Sequence, residues 1–140
     1  MSVDFIDSNI FSYLFDETDA RKRRIAERLV QQALEVGTAA ISFQVVQETL
    51  NVLVGKLRRT ASRDDARRFL DKVLVPLWRV MPSPALYQRA LDVKTRYAFS
   101  FYDSLVVAAA LEVNSTRLLS EDLQHAQRIE GLVLENPFAA

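Results

Sequence analysis

The chain of 140 residues has no cysteine, one histidine, three glycines and four prolines. Each scarcity removes a class of chemistry. Without cysteine there are no disulfides and no thiolate metal sites. One histidine, His125, cannot build a histidine-rich zinc centre. Gly37, Gly55 and Gly131 are too scattered for a phosphate-cradling loop, which removes the dinucleotide fingerprint and the P-loop. No apolar run approaches the roughly 20 residues of a membrane span. The N-terminus lacks a basic stretch followed by an apolar one. These absences predict a soluble, cytoplasmic protein with no membrane association.

Charge of one sign is also missing. Eighteen basic residues balance eighteen acidic ones, so global charge gives no argument for nucleic acid. Locally it is uneven. Arg21, Lys22, Arg23 and Arg24 form a basic run, and Lys56, Arg58, Arg59, Arg63, Arg67 and Arg68 form a looser one. Such runs are ordinarily solvated helix faces. Their functional reading is contact with RNA phosphates or with an acidic partner.

What remains is globular: 49% apolar and 26% charged residues over a length that suits one domain, residues 1–140. Apolar residues at Ile25, Ala26, Leu29, Val30, Ala33 and Leu34 have helical spacing, and Gly37 supplies a stop. Ser62 to Asp65 reads as a capping box before a helix that Pro76 ends. Ser83-Pro84 opens another helix, running towards Tyr97. Short apolar segments at Val3–Ile6, Ala39–Ser42, Arg117–Leu119 and Leu132–Leu134 read as strands, with Leu77–Val80 weaker. Short buried strands separated by helices predict an α/β domain with a mostly parallel sheet. Trp78 and the phenylalanines are assigned to the core, although Phe43, Phe99 and Phe101 would also suit a cleft that stacks bases.

Four carboxylates stand in places that a core would avoid. Asp7 ends the first strand, in VDFIDSNI. Glu48 lies on the helix after Ser42, sharing a face with Val45 and Val52. Asp103 opens a helix that is apolar all round from Leu105 to Leu111. Asp122 follows the strand Arg117–Leu119 at a strand-to-helix turn. Each has an innocent account. Asp7 would cap a helix, Glu48 would reach water, Asp103 would complete a box with Ser100, and Asp122 would follow the cap Ser120 and favour the helix dipole. Together they occupy positions that a parallel sheet can bring to one edge. Four acids in one cleft repel unless cations neutralise them. Oxygen ligands alone suit Mg²⁺ or Mn²⁺, which activate water and stabilise charge on a phosphate.

The ordered series VDFIDSNI, FQVVQETL, SFYDSLVVAAAL, LLSEDLQHAQ and ENPF resembles the PIN domain, in the style of the VapC-like toxins of bacterial toxin–antitoxin pairs. The likeness runs along nearly the whole chain. It implies a three-layer α/β/α fold and a metal-dependent endoribonuclease that leaves a 5′-phosphate and a 3′-hydroxyl. It further implies an acidic quartet of Asp7, Glu48, Asp103 and Asp122 holding Mg²⁺ or Mn²⁺, with Asn9 and Ser120 orienting the site. An RNA substrate, an antitoxin partner and a homodimer also follow from it. The usual first motif of that family is Asp-Thr-Asn; here Asp-Ser-Asn keeps the hydroxyl. Glu121 and Asp122 are neighbours, about 100° apart on a helix, and the family position selects Asp122, leaving Glu121 to face solvent.

Two other readings compete. One is a catalytically silent PIN-like module that only binds protein; an intact quartet argues against it. The other is a phosphoacceptor receiver domain. That would need paired acids after the first strand and a lysine after a late strand, and this sequence has neither.

Overall fold

The computed structural model describes residues 2–56 and 63–139. Arg58, Arg59 and Ser62 of the expected basic run and capping box lie outside the described residues, as do the side chains of Lys56 and Arg63.

Six strands form one sheet in the order β3-β2-β1-β4-β6-β5. These are β1 (Asp4–Ile6), β2 (Ala39–Ser42), β3 (Trp78–Val80), β4 (Arg117–Leu119), β5 (Arg128–Ile129) and β6 (Leu132–Glu135). All neighbours run parallel except β5 and β6. The central strands are apolar on both faces, as buried parallel strands must be. Phe5, Ile6, Ala40, Ile41, Leu118 and Leu119 are all inaccessible to solvent.

Helices cover both faces. Chain order gives α1 (Ser8–Ser12), α2 (Ala20–Val36), α3 (Phe43–Asn51), α4 (Arg63–Phe69), α5 (Val75–Leu77), α6 (Pro84–Tyr97) and α7 (Phe101–Glu112). Most ends obey local chemistry. Asp19 caps α2 by accepting from the Lys22 amide, and Gly37 ends it in the left-handed region at φ 74°. Ser83 caps α6, with Pro84 in its first turn. A wide π-type turn over Leu70–Leu74 joins α4 to α5, and the helical run continues one residue past Pro76. In α7, Ser104 to Leu111 are all buried, so the helix that is apolar all round is buried all round.

Two expectations change. The segment after β4 is an irregular loop rather than a helix, so no helix dipole acts on Glu121 or Asp122. Strand β5 was not legible: it is two residues long and one of them is Arg128. Trp78 is half-buried, its ring packed against the core and its Nε1 donating to the Val80 carbonyl.

The topology fixes where a site can lie. From β1 the chain moves to β2 and β3 on one side, then crosses to β4 on the other. Such a switch of direction opens a crevice beyond the carboxyl ends of the two strands.

Candidate functional site

Register delivers the first residues to that crevice. Ile6 of β1 pairs with Leu119 of β4, so the next residues, Asp7 and Ser120, leave the sheet side by side. The Asp7 amide donates to the Leu119 carbonyl at 3.0 Å. Ser120 donates its hydroxyl to Asp7 Oδ2 at 2.8 Å. Asp7 also caps α1, with Oδ1 accepting from the Ser8 amide at 2.8 Å. The cap and the site are therefore the same carboxylate.

Asp7 is 6% exposed. Burial pushes its pKa up to about 6 against the hydrogen bonds from Ser120 and Ser8, and repulsion from Glu48 and Asp122 adds to the rise. Perturbation of this kind by burial and nearby like charges is characteristic of functional acids.

Glu48 comes from the helix that Ser42 caps, on the far side of β1. Its neighbours Val45 and Thr49 are buried, and Glu48 itself is half-buried. Oε1 accepts the Ser8 hydroxyl at 2.9 Å, and Oε2 accepts Gln44 Nε2 at 3.4 Å. Ser8 thus touches two acids, Asp7 through its amide and Glu48 through its hydroxyl.

Asn9 connects the third acid. Its Nδ2 donates to Asp122 Oδ2 at 3.1 Å and to Ser120 Oγ at 3.2 Å, and lies 3.5 Å from Asp7 Oδ2. Its Oδ1 accepts the Glu121 amide at 3.2 Å. Asp122 is exposed, on the loop after β4, and its own amide donates to Ser120 Oγ.

The fourth acid is Asp103. It lies in the first turn of α7, where its amide donates to the capping Ser100. Gln44 Nε2 donates to the Tyr102 carbonyl at 3.1 Å as well as to Glu48, and so ties this turn to α3. Among the described residues, no hydrogen bond joins the Asp103 carboxylate to the other acids.

Glu121 does not face solvent as expected. Tyr13 donates its phenol to Oε1 at 2.6 Å, and Lys22 Nζ sits 2.5 Å from Oε2. Partial burial opposes ionisation of Glu121, but the Lys22 and Tyr13 hydrogen bonds outweigh it and hold the carboxyl below its usual range. Lys22 is consequently committed inside the molecule and is withdrawn from the basic run. Of the rest, Arg21 donates to the Phe138 carbonyl, Arg23 approaches Glu27 at 3.7 Å, and Arg24 is exposed. His125 is exposed, its Nδ1 accepting the Asn136 amide.

The donor set can be tested against a divalent cation. Its oxygens are hard, and among the described residues no Lys or Arg pairs with Asp7, Glu48, Asp103 or Asp122. That chemistry fits Mg²⁺ or Mn²⁺. Among the described residues the acids do not close around a single point as three ligands. Ser8, Ser120 and Asn9 stand between them as neutral donors, as expected of like charges that share a cleft.

Sequence reasoning missed Gln44, Tyr13 and the Lys22–Glu121 pair. Gln44 could have been found, since it lies one helical turn before Glu48. Tyr13 carries no sequence signal.

Comparisons with known proteins bear on the fold and the family. A toxin–antitoxin complex from Klebsiella pneumoniae matches with a TM-score of 0.67 at 21% identity, covering 98% of this chain and 99% of that one. VapC20 of Mycobacterium tuberculosis, described as a toxin cleaving the sarcin–ricin loop, matches with a TM-score of 0.59 at 21% identity, covering 85% and 91%. VapBC2 from Rickettsia felis, bound to a DNA fragment from its promoter, matches with a TM-score of 0.64 at 17% identity, covering 96% and 98%. At these identities the likeness is one of fold. No curated protein sequence matches significantly. A family model does: residues 5–131 match the PIN domain, a span that runs from β1 into the β5–β6 turn and contains all four acids. The chain belongs to the PIN domain family.

Proposed function

We propose that this chain is a metal-dependent endoribonuclease and the toxin of a toxin–antitoxin pair. The observation that carries this reading is the group Asp7, Glu48 and Asp122, spaced by neutral donors beyond the ends of β1 and β4 and, among the described residues, paired with no cationic side chain. An acid cluster left without cations inside a protein is costly, and a hard divalent ion offsets that cost.

Asp7, Glu48, Asp103 and Asp122 would hold Mg²⁺ or Mn²⁺, which when bound lowers the pKa of water and neutralises phosphate charge. The residues of the chain do the rest. Ser120 and Ser8 fix both oxygens of Asp7. Asn9 holds Asp122 in reach of that pair. Gln44 keeps Glu48 and the first turn of α7 together. Water attacks the phosphorus, the 3′-oxygen leaves and takes up a proton, and the products are a 5′-phosphate and a 3′-hydroxyl. Tyr102, 66% exposed and next to Asp103, offers a ring on which an unpaired base can stack. The toxin assignment draws on the neighbours, of which one is described as cleaving an RNA loop and another as a toxin–antitoxin complex. An antitoxin and a second copy of the chain are the proposed protein partners.

The test is cleavage of RNA by purified protein with Mn²⁺ or Mg²⁺ and with a chelator. Metal-dependent cleavage that Asp7→Asn and Asp103→Asn each abolish is expected, together with slowed growth of a host expressing the chain. Intact RNA and normal growth with folded wild-type protein would make the chain a silent, protein-binding PIN fold.

A further inference from the structure

Three segments converge on Glu121 from outside the acid cluster. Tyr13 comes from the short 3₁₀ turn Tyr13–Phe15, Lys22 from the first turns of α2, and Phe138 from the C-terminal segment. Lys22 Nζ contacts Glu121 Oε2 and the Tyr13 hydroxyl, the latter at 3.3 Å. It also lies 5.0 Å from the Tyr13 ring centre and 5.6 Å from that of Phe138. The two rings meet edge to face at 4.9 Å. Arg21 then fixes the Phe138 carbonyl at 3.0 Å.

An exposed ion pair contributes little. This one differs, because the side chains of Lys22 and Glu121 are 27% and 24% exposed and an aromatic pair shields the ammonium. The neighbourhood also has a direction. On the other side of the Glu121 backbone, its amide donates to Asn9 Oδ1. Asn9 in turn orients its Nδ2 towards Asp122 and Ser120. No helix braces the loop after β4. Backbone bonds hold its two ends, Ser120 to Glu135 and Ala126 to Leu134, and side chains hold Glu121 and Asp122 between them.

We infer that Lys22, Tyr13 and Glu121 form a latch that positions Asn9 and Asp122 in the acid site. Glu121 anchors the loop by its carboxylate, and its amide passes that position to Asn9. The carboxylate itself takes no part in holding a metal or substrate, so Glu121, Lys22 and Tyr13 are positioning residues. The functional consequence rests on the nuclease reading; the geometric one does not.

The test compares Lys22→Met, Lys22→Arg and Tyr13→Phe in the full-length chain. In the metal-free protein, NMR follows hydrogen exchange of the Glu121 amide and the side-chain amide signals of Asn9. Lys22→Met should speed exchange at Glu121 about tenfold or more and shift Asn9 towards a solvent-exposed amide, while the Ser120 amide, bonded to the Glu135 carbonyl, stays protected. Tyr13→Phe should give a smaller effect in the same direction, and Lys22→Arg should restore most of the wild-type behaviour. In cleavage assays Lys22→Met should raise the Mn²⁺ concentration for half-activity about tenfold to a hundredfold and lower kcat, with KM for RNA little changed. Wild-type exchange at Glu121 and an unmoved Asn9 signal in Lys22→Met would overturn the latch. A raised KM at constant kcat and constant Mn²⁺ requirement would overturn it too, by showing that Lys22 binds RNA directly. A wild-type chain that cleaves nothing, with the NMR changes as stated, would sink the nuclease reading and leave the latch standing.

Discussion

The hydroxyl of Ser120 lies 2.8 Å from Asp7 Oδ2, across 113 residues of chain. The parallel pairing of β1 with β4 sets that distance, because Ile6 and Leu119 are partners and the following residues emerge together. The same bond works against a larger burden. Asp7 is buried beside two other carboxylates, and its pKa is pushed up to about 6 by burial first and by Glu48 and Asp122 after it.

The pH dependence of stability follows from that shift. A carboxyl with a raised folded-state pKa binds its proton more tightly in the native state. Stability of the metal-free chain therefore falls as pH rises from about 4 to about 6, by roughly 3 kcal/mol at most, and levels off above. Asp7→Asn removes this slope, so the variant should match or trail the wild type near pH 4 and exceed it at pH 7. Urea melts in chelator between pH 4 and pH 7.5 measure both. A difference between wild type and Asp7→Asn that does not change between pH 4 and pH 7.5 would mean that Asp7 does not carry the raised pKa.

Metal should close that gap. At a hundredfold excess over its dissociation constant, Mn²⁺ adds about 2.7 kcal/mol to whichever chain binds it. Thermal melts should therefore rise by about 9 °C for the wild type. They should stay flat for Asp7→Asn and for Asp103→Asn, whose folds remain intact. A full Mn²⁺ response in Asp103→Asn would exclude that acid from the site.

Asp122→Asn tests the exposed member. It loses ligand charge but keeps an oxygen able to accept from Asn9. Cleavage should fall clearly, though less than in Asp7→Asn, with the Mn²⁺ requirement raised. Rates equal to wild type at limiting Mn²⁺ would remove Asp122 from the quartet.

The arginines of the α2 run, unlike Lys22, should act on binding alone. Replacing Arg21, Arg23 and Arg24 by glutamine should weaken RNA binding and flatten the slope of log K against log salt by about two. The kcat at saturating RNA should hold. A wild-type slope in the triple variant would return these arginines to the solvent or to a protein partner.

Two helix ends offer controls on stability. Gly37 ends α2 at φ 74°, and Ala98 follows α6 at φ 59°. Gly37→Ala should cost about 1 kcal/mol, and Ala98→Gly should add about 0.5 kcal/mol, since only glycine occupies that region without strain. Chemical melts check both, and neither change should alter cleavage.

Regular elements were legible because their signals are local. Ser42, Ser83 and Ser100 cap where cap residues are expected, and Gly37 stops α2. The sheet's parallel character followed from strands with no polar face. The positions of Asp7 and Ser120 at strand ends were legible for the same reason. What sequence could not give was register, and hence that Ser8 would stand between Asp7 and Glu48. The loop after β4 failed differently. Ser-Glu-Asp is good helix-start chemistry, but the chain must turn promptly into β5 and β6. Tertiary bonds from Asn9, Tyr13 and Lys22 hold it open instead.

The sheet ends in two short and uninviting strands. On one edge β3 has three residues, with Arg79 exposed; on the other β5 has two, runs antiparallel and carries exposed Arg128. A long flat edge is a template on which another chain can continue the ladder. Neither edge here offers one. The interior strands, apolar on both faces and paired across long stretches of sequence, are the kind that are slow to assemble and prone to aggregate while unpaired. Blunted edges keep the finished sheet from recruiting such strands from unfinished copies. They also offer little to β-augmentation, which leaves the helices and loops as the larger surface for recognition.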